Sequence, residues 1–189
     1  MNEKFLVVGL GNPGREYRST RHNIGFMLAD NLAKKFNSHF TRIQFYSLVL
    51  NITTEGRNII LAKPQTFMNN SDRSVVALVR FYKIELDHLI ICSDDLDLPI
   101  GSIRIRETGG SGGQKGINSI IEGLGTKDFP RLRLGIGRPP ERMDAAEYVL
   151  QEFSQEEKEL VLEVLDRAVE AVLLFTEKGI ESAMTMFNR

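Results

Sequence analysis

Apolar residues along this chain come in short bursts separated by turn-forming residues, and the spacing inside each burst predicts its element. Phe5-Leu6-Val7-Val8, ending at Gly9, reads as a buried first strand. Ile24, Leu28, Leu32 and Phe36 recur at four-residue spacing and predict a helix over 22–36 with one apolar stripe. The runs 45–52 and 58–63 read as strands. Thr54-Glu55-Gly56-Arg57 between them predicts a hairpin, and Pro64 ends the second run. Ser71 is positioned to cap a helix carrying Val75, Leu78, Val79 and Tyr82. Leu89 to Cys92 forms a short apolar strand running into Asp94-Asp95-Leu96-Asp97. Residues 102–106 and 131–136 alternate as half-exposed strands do. Between them, a glycine-rich loop over 109–116 opens a helix with Ile117, Ile120, Ile121 and Leu124. Pro139-Pro140 marks a turn. Ser154-Gln155-Glu156-Glu157 is a capping box before a long amphipathic helix reaching about Lys178. Gly179 ends it, with a short last helix expected beyond.

Strands alternating with helices predict an α/β fold: a three-layer α/β/α single domain spanning 1–189. The hairpin makes the central sheet mixed, though mostly parallel. In such sheets ligands sit beyond the carboxyl ends of strands. That rule groups three loops: 9–22, 64–71 and 94–97.

Composition narrows the class. The 189 residues, 42% hydrophobic and 26% charged, suffice for an independent core. A single Cys excludes an intramolecular disulfide and a thiolate-rich zinc site, and fits a reducing compartment. No apolar run approaches the ~20 residues that span a bilayer. No signal peptide is expected at the start, so the protein is expected in the cytoplasm. The net charge of −1 hides an asymmetry: +4 over 1–43, −2 over 44–100, +4 over 101–142 and −7 over 143–189. Two basic segments suggest a face for a polyanion. Charge alone favours the plainer reading of ordinary surface and a solvated acidic helix face.

Three familiar patterns fail on inspection. Gly9-Leu-Gly11-Asn-Pro-Gly14 fits the dinucleotide pattern. However, Pro13-Gly14 makes a turn where the helix should begin, and Lys34-Lys35 occupies the region of the ribose-binding acid. Gly109-Gly-Ser111-Gly-Gly113 fits a nucleophile elbow, yet His22, His39 and His88 all precede Ser111, against the required order. The glycine loop reads instead as flexible backbone that approaches a ligand. Asp94-Asp95-Leu96-Asp97 alternates faces and lacks nearby histidines, so neither a metal nor any cofactor is expected. Cys92, inside an apolar strand, reads as core.

What survives is a set of polar groups on the three loops: Asn12, His22, Asn69 and Asp94. It suits hydrolysis without a covalent intermediate. An imidazole with a pKa of ~6.5 can take a proton from water, and a carboxylate on its other nitrogen fixes the tautomer. Side-chain amides can donate to a developing oxyanion. Spacing alone leaves a plainer reading open, with His22 as a helix cap and Asn69-Asn70-Ser71 as a cap and turn.

Several segments together resemble the bacterial peptidyl-tRNA hydrolase family: Gly9-Leu-Gly-Asn-Pro-Gly14, Glu16-Tyr17, Thr20-Arg-His-Asn23, Lys63-Pro-Gln-Thr-Phe-Met-Asn69 and Asp94-Asp-Leu-Asp-Leu-Pro99. The glycine loop 109–116 and Phe129-Pro-Arg-Leu-Arg-Leu-Gly-Ile136 fit as well. The match runs in order from residue 5 to about 150. The resemblance implies an enzyme that cleaves the ester between a peptide and the 3′ end of tRNA, recycling tRNA from stalled translation. It implies no stable protein partner and a monomer. It implies His22 as general base, Asp94 as its orienting carboxylate, and Asn69 as the group that holds the terminal ribose and helps the oxyanion. Asn12 matches the position that separates blocked from free aminoacyl esters. Tyr17, Phe67 and Met68 would line the cleft, and Arg106 and Arg133 would grip the tRNA 5′ phosphate, with Arg104 and Arg131 on the same faces assisting. Gln114-Lys115 departs from the His-Asn of many members. Substrate binding carries over to Lys115, while the usual contact does not, because a lysine donates but cannot accept. The alternative is a catalytically silent RNA-binding relative of the same fold, disfavoured by the retention of His22, Asp94, Asn69 and Asn12.

Overall fold

The computed structural model describes residues 3–188. Seven strands form one sheet: β1 (Glu3–Gly9), β2 (Arg42–Gln44), β3 (Ser47–Thr54), β4 (Arg57–Pro64), β5 (Leu89–Asp95), β6 (Ile103–Arg106) and β7 (Arg131–Gly135). Their spatial order is β2-β3-β4-β1-β5-β7-β6. The central strands β4, β1, β5 and β7 run parallel, while β2, β3 and β6 add antiparallel edges. The expected mixed sheet is thus parallel in the middle, where the strands are buried on both faces.

Alternate residues of the central strands feed two cores. Phe5 and Val7 of β1 and Ile90 and Cys92 of β5 pack beneath the helices α1 (Ile24–Lys35) and α5 (Gln155–Phe187). Leu6 and Val8, with Leu89 and Ile91, face α2 (Asp72–Tyr82) and α3 (Lys115–Leu124). The predicted stripe of α1 is buried at Ile24, Leu28 and Leu32, and Phe36 packs at its end.

Two local expectations are corrected. Residues 45–46 do not begin a strand. Phe45 and Tyr46 form the turn between β2 and β3, with φ of 48° and 59°. Aromatic residues favour strands, so their composition hid a turn and the short, polar β2 before it. Ser71 precedes α2, but its hydroxyl donates to the Met68 carbonyl at 2.7 Å. The first turn is instead served from α3, where Ser119 Oγ accepts the Asp72 N–H at 3.0 Å and donates to the Asp72 carboxylate at 2.6 Å.

Close approach fixes the site end of the sheet. A Cβ on Gly25 would lie 2.5 Å from the Cys92 carbonyl oxygen and 2.6 Å from the backbone of Leu10; one on Gly9 would lie 2.1 Å from the Gly25 carbonyl oxygen. The glycine pattern 9–14 therefore serves backbone packing of α1 against the ends of β1 and β5, not phosphate. At the far edge, Gly179 (φ 81°) breaks α5, and the Asn188 amide pairs with the N–H and carbonyl of Ile105, at 2.7 and 2.9 Å. This closes the open edge of β6.

The capping box is present. Ser154 Oγ accepts the Glu157 N–H at 3.3 Å and Glu157 accepts the Ser154 N–H at 2.7 Å. Burial would raise the Glu157 carboxyl, but Arg21 at 2.8 Å and the two Ser154 contacts outweigh it and hold it below its usual range.

Gly25→Ala is expected to destabilise by about 3 kcal/mol, since both contacts are unyielding backbone. Urea unfolding measures it. Because the Glu157 carboxyl is depressed, its contribution is full above the ordinary carboxylate range and is lost as pH falls through the depressed value. The Tm difference between wild type and Glu157→Gln is therefore expected to shrink on acidification.

Candidate active site

The carboxyl ends of β1, β4 and β5 bring the three polar loops together, as the sheet rule requires. A turn over Arg21–Asn23 leads into α1 and presents His22 toward the end of β5. There Asp94, buried with a side-chain exposure of 3%, places Oδ2 2.8 Å from His22 Nδ1. An ionised carboxylate can only accept, so Nδ1 is the donor of this bond, and in the neutral ring Nε2 keeps its lone pair. Among the described residues Nε2 has no hydrogen-bond partner, and His22 lines a cavity of about 690 Å³.

Asn12 and Asn23 brace this arrangement. Asn23 Oδ1 accepts the Asn12 N–H at 2.8 Å, and Asn23 Nδ2 donates to the Asn12 carbonyl at 2.9 Å. The buried Asn12 side chain accepts the Met68 N–H at 2.9 Å, which assigns that atom as Oδ1 and leaves Nδ2 as its donor on the cavity wall. Asn69, Phe67, Met68 and Lys115 line the same cavity. Asn69 and Lys115 are exposed, and their side chains make no polar contact among the described residues. Tyr17 is absent from the cavity wall; it meets the Phe67 ring edge to face at 6.4 Å, on the rim.

Sequence reasoning missed the second partner of Asp94. Gln114 Nε2 donates to Asp94 Oδ1 at 3.0 Å, while its Oε1 accepts the Ile117 N–H at 2.8 Å and caps α3. Gln114 thus couples the glycine loop to the dyad. The N-cap preference for short polar side chains gave no hint of a glutamine here. Gly112 and Gly113 before it have φ of 59° and 84° with open space around them, so the loop needs glycine for conformation rather than room.

The carboxylates of 94–97 diverge, as expected from strand alternation. Asp94 takes His22, Asp95 takes Arg133 Nε at 2.6 Å, and Asp97 takes Arg138 at 2.6 Å. Among the described residues no three His, Cys, Asp or Glu side chains gather as a metal site. Burial pushes the Cys92 thiol up, which makes it inert core.

Arg106, Arg131 and Arg133 line a second cavity of about 280 Å³ beneath the glycine loop; Asp94, Asp95, Gly112 and Gln114 belong to both cavities. The register explains the convergence: Arg104 pairs with Arg133 and Arg106 with Arg131, so all four arginines share one sheet face. Their roles differ. Arg131 is buried and donates to the Gly110 and Lys127 carbonyls at 2.8 and 2.9 Å, so it braces the loop. Burial and the Arg133 charge lower its pKa. Arg104 reaches the Asn188 carbonyl at 3.4 Å. Arg106 is exposed and its side chain has no partner among the described residues, and Arg133 is partly exposed beside Asp95.

A sequence model of the family described as peptidyl-tRNA hydrolase matches residues 6–189. The chain belongs to the peptidyl-tRNA hydrolase family. It is 50% identical to the peptidyl-tRNA hydrolase of Thermoanaerobacter sp. (strain X514) over 97% of this chain and 99% of that protein. The relative from Aquifex aeolicus is 46% identical over 97% of this chain and 96% of its own length. The crystal structure of peptidyl-tRNA hydrolase from Acinetobacter baumannii superposes with a TM-score of 0.92 at 35% identity, covering 100% of this chain and 96% of that one. Family membership makes the chain a hydrolase acting in translation. No helix among the described residues is long and apolar enough to cross a membrane.

Gln114→Ala removes a hydrogen bond to a charged group, worth roughly 1.5–3 kcal/mol. We expect hydrolysis of peptidyl-tRNA to fall about tenfold or more in kcat, with KM little changed. Steady-state kinetics on the folded variant provides the check.

Proposed function

We propose that this peptidyl-tRNA hydrolase family member works by direct attack of water on the ester, with His22 as general base. The observation that carries the proposal is the His22–Asp94 contact, with the opposite ring nitrogen free in the cavity wall. Water loses a proton to Nε2 as its oxygen bonds to the ester carbonyl carbon. The tetrahedral intermediate then collapses, the bond to the 3′ ribose oxygen breaks, and the imidazolium returns the proton to that oxygen. Asp94 holds the ring in the required tautomer and stabilises its charged form, in the manner of a triad carboxylate. Such a base contributes about 10²–10⁴-fold. An ester is reactive enough for activated water, and neither Ser93 nor Cys92, both buried, stands at His22 as a nucleophile.

The Asn69 amide, free of protein partners, would hold the terminal ribose and donate to the oxyanion. Asn12 Nδ2 would read the peptide backbone next to the ester. A free α-ammonium presents no acceptor to it, so unblocked aminoacyl-tRNA would be a poor substrate. Phe67, Met68 and Tyr17 would offer an apolar rim for the terminal base and side chain. Lys115 would donate to the substrate end. Arg106 and Arg133 would receive the 5′ phosphate, for which the guanidinium fork is suited. The protein would act as one domain and a monomer in the cytoplasm, recycling tRNA from stalled translation.

The test compares N-acetyl-aminoacyl-tRNA with unblocked aminoacyl-tRNA, using wild type and His22→Ala. Selective cleavage of the blocked ester, lost in His22→Ala with tRNA binding retained, is expected. Normal turnover by His22→Ala would overturn the base assignment. No cleavage by wild type despite tight tRNA binding would instead favour a silent RNA-binding relative. Arg133→Ala is expected to weaken tRNA substrates while sparing a minimal adenosine ester.

A further inference from the structure

Arg21 immediately precedes the base, yet its side chain leaves the cavity and turns into the protein. It is 6% exposed. Its guanidinium carbon lies 4.4 Å from the centre of the Tyr148 ring and 5.0 Å from that of Phe153. Nη2 meets Glu157 at 2.8 Å, and that carboxylate is already engaged in the capping box of α5. The backbone joins in: the Arg21 N–H donates to the Gln151 carbonyl at 2.9 Å, and Thr20 bridges Glu152. One residue therefore ties the turn bearing His22 to the whole segment 148–157.

That segment is also cavity wall. The short helix α4 (Ala145–Val149) contributes Ala145, Ala146 and Val149, and Leu150 follows. His22 is thus braced on one side by the Asn23–Asn12 pair and on the other by Arg21, through which the wall is registered against the base.

The chemistry of the anchor argues against simple filling. Arg21 Nε and Nη1 are buried with no hydrogen-bond partner among the described residues. A buried cation with unmet donors is a poor source of stability, and an apolar side chain of similar volume is often as stabilising or more so. A flat, charged group stacked on two rings and held by one carboxylate does supply a fixed position. We infer that Arg21 is a positioning residue for catalysis: its stack on Tyr148 and Phe153 and its ion pair with Glu157 set His22 against the α4 wall of the cavity.

The inference rests on the hydrolase reading above, and the experiment separates the two. Wild type, Arg21→Lys, Arg21→Ala and Glu157→Gln are assayed on N-acetyl-aminoacyl-tRNA below their Tm, beside binding of deacylated tRNA. A core variant, Val169→Ala, serves as a control for lost stability alone. Absence of turnover in wild type would refute the hydrolase reading. With wild type active, kcat is expected to fall about 10–100-fold in both Arg21 variants, because small displacements of a base are costly. Deacylated tRNA binding is expected to stay within about twofold, and Val169→Ala to keep its kcat. Millimolar guanidinium is expected to restore part of the Arg21→Ala rate, while equal urea does not. Arg21 variants that lose Tm yet retain wild-type kcat would overturn the inference. Should Arg21→Ala fail to fold, Arg21→Lys and Glu157→Gln decide by the same kcat comparison.

Discussion

A carboxylate buried at the end of a parallel strand must be met by donors, and the site is organised around how Asp94 is met. One oxygen receives His22 and the other Gln114. An unpaired charge there would be heavily penalised, so the turn before α1 and the loop before α3 are both drawn to β5. The same two bonds fix the imidazole tautomer and the start of a helix. The geometry of the proposed site and the geometry of the fold are one set of contacts.

Close backbone packing makes this possible. Gly9 and Gly25 let α1 sit directly on the ends of β1 and β5, so the turn carrying His22 arrives above Asp94. On α3, Gly116 leaves room for side chains, since a Cβ there would lie 2.6 Å from Met68 Sδ. Larger residues at Gly9 or Gly25 would lift α1 and with it His22. The Arg21 anchor extends the bracing to the acidic C-terminal segment. Apart from Glu157, the acidic residues of that segment, which carries net −7 over 143–189, are exposed, while the other face of α5 packs in the core.

The elements were legible because each carries its own period: runs for the central strands, alternation for β6 and β7, four-residue spacing for α1. The location of the site was legible because strand order sends β1, β4 and β5 to one end. Roles set by long-range partners were not. Gln114 and Arg21 act through residues far away in sequence, and no local pattern encodes those bonds. Arg104 and Arg131 are expected to assist Arg106 and Arg133, yet Arg131 is consumed by the glycine loop while the Arg106 side chain has no partner among the described residues. The Phe45-Tyr46 turn was hidden because its residues favour strands and its positive φ leaves no mark in composition.

The proposed mechanism requires Asp94 to make His22 a base for water. Single-turnover cleavage of N-acetyl-aminoacyl-tRNA by Asp94→Asn is the decisive measurement, since asparagine keeps the shape and loses the charge. A fall of about 10²–10⁴-fold with tRNA binding retained is expected. A rate within about threefold of wild type would refute the role of Asp94.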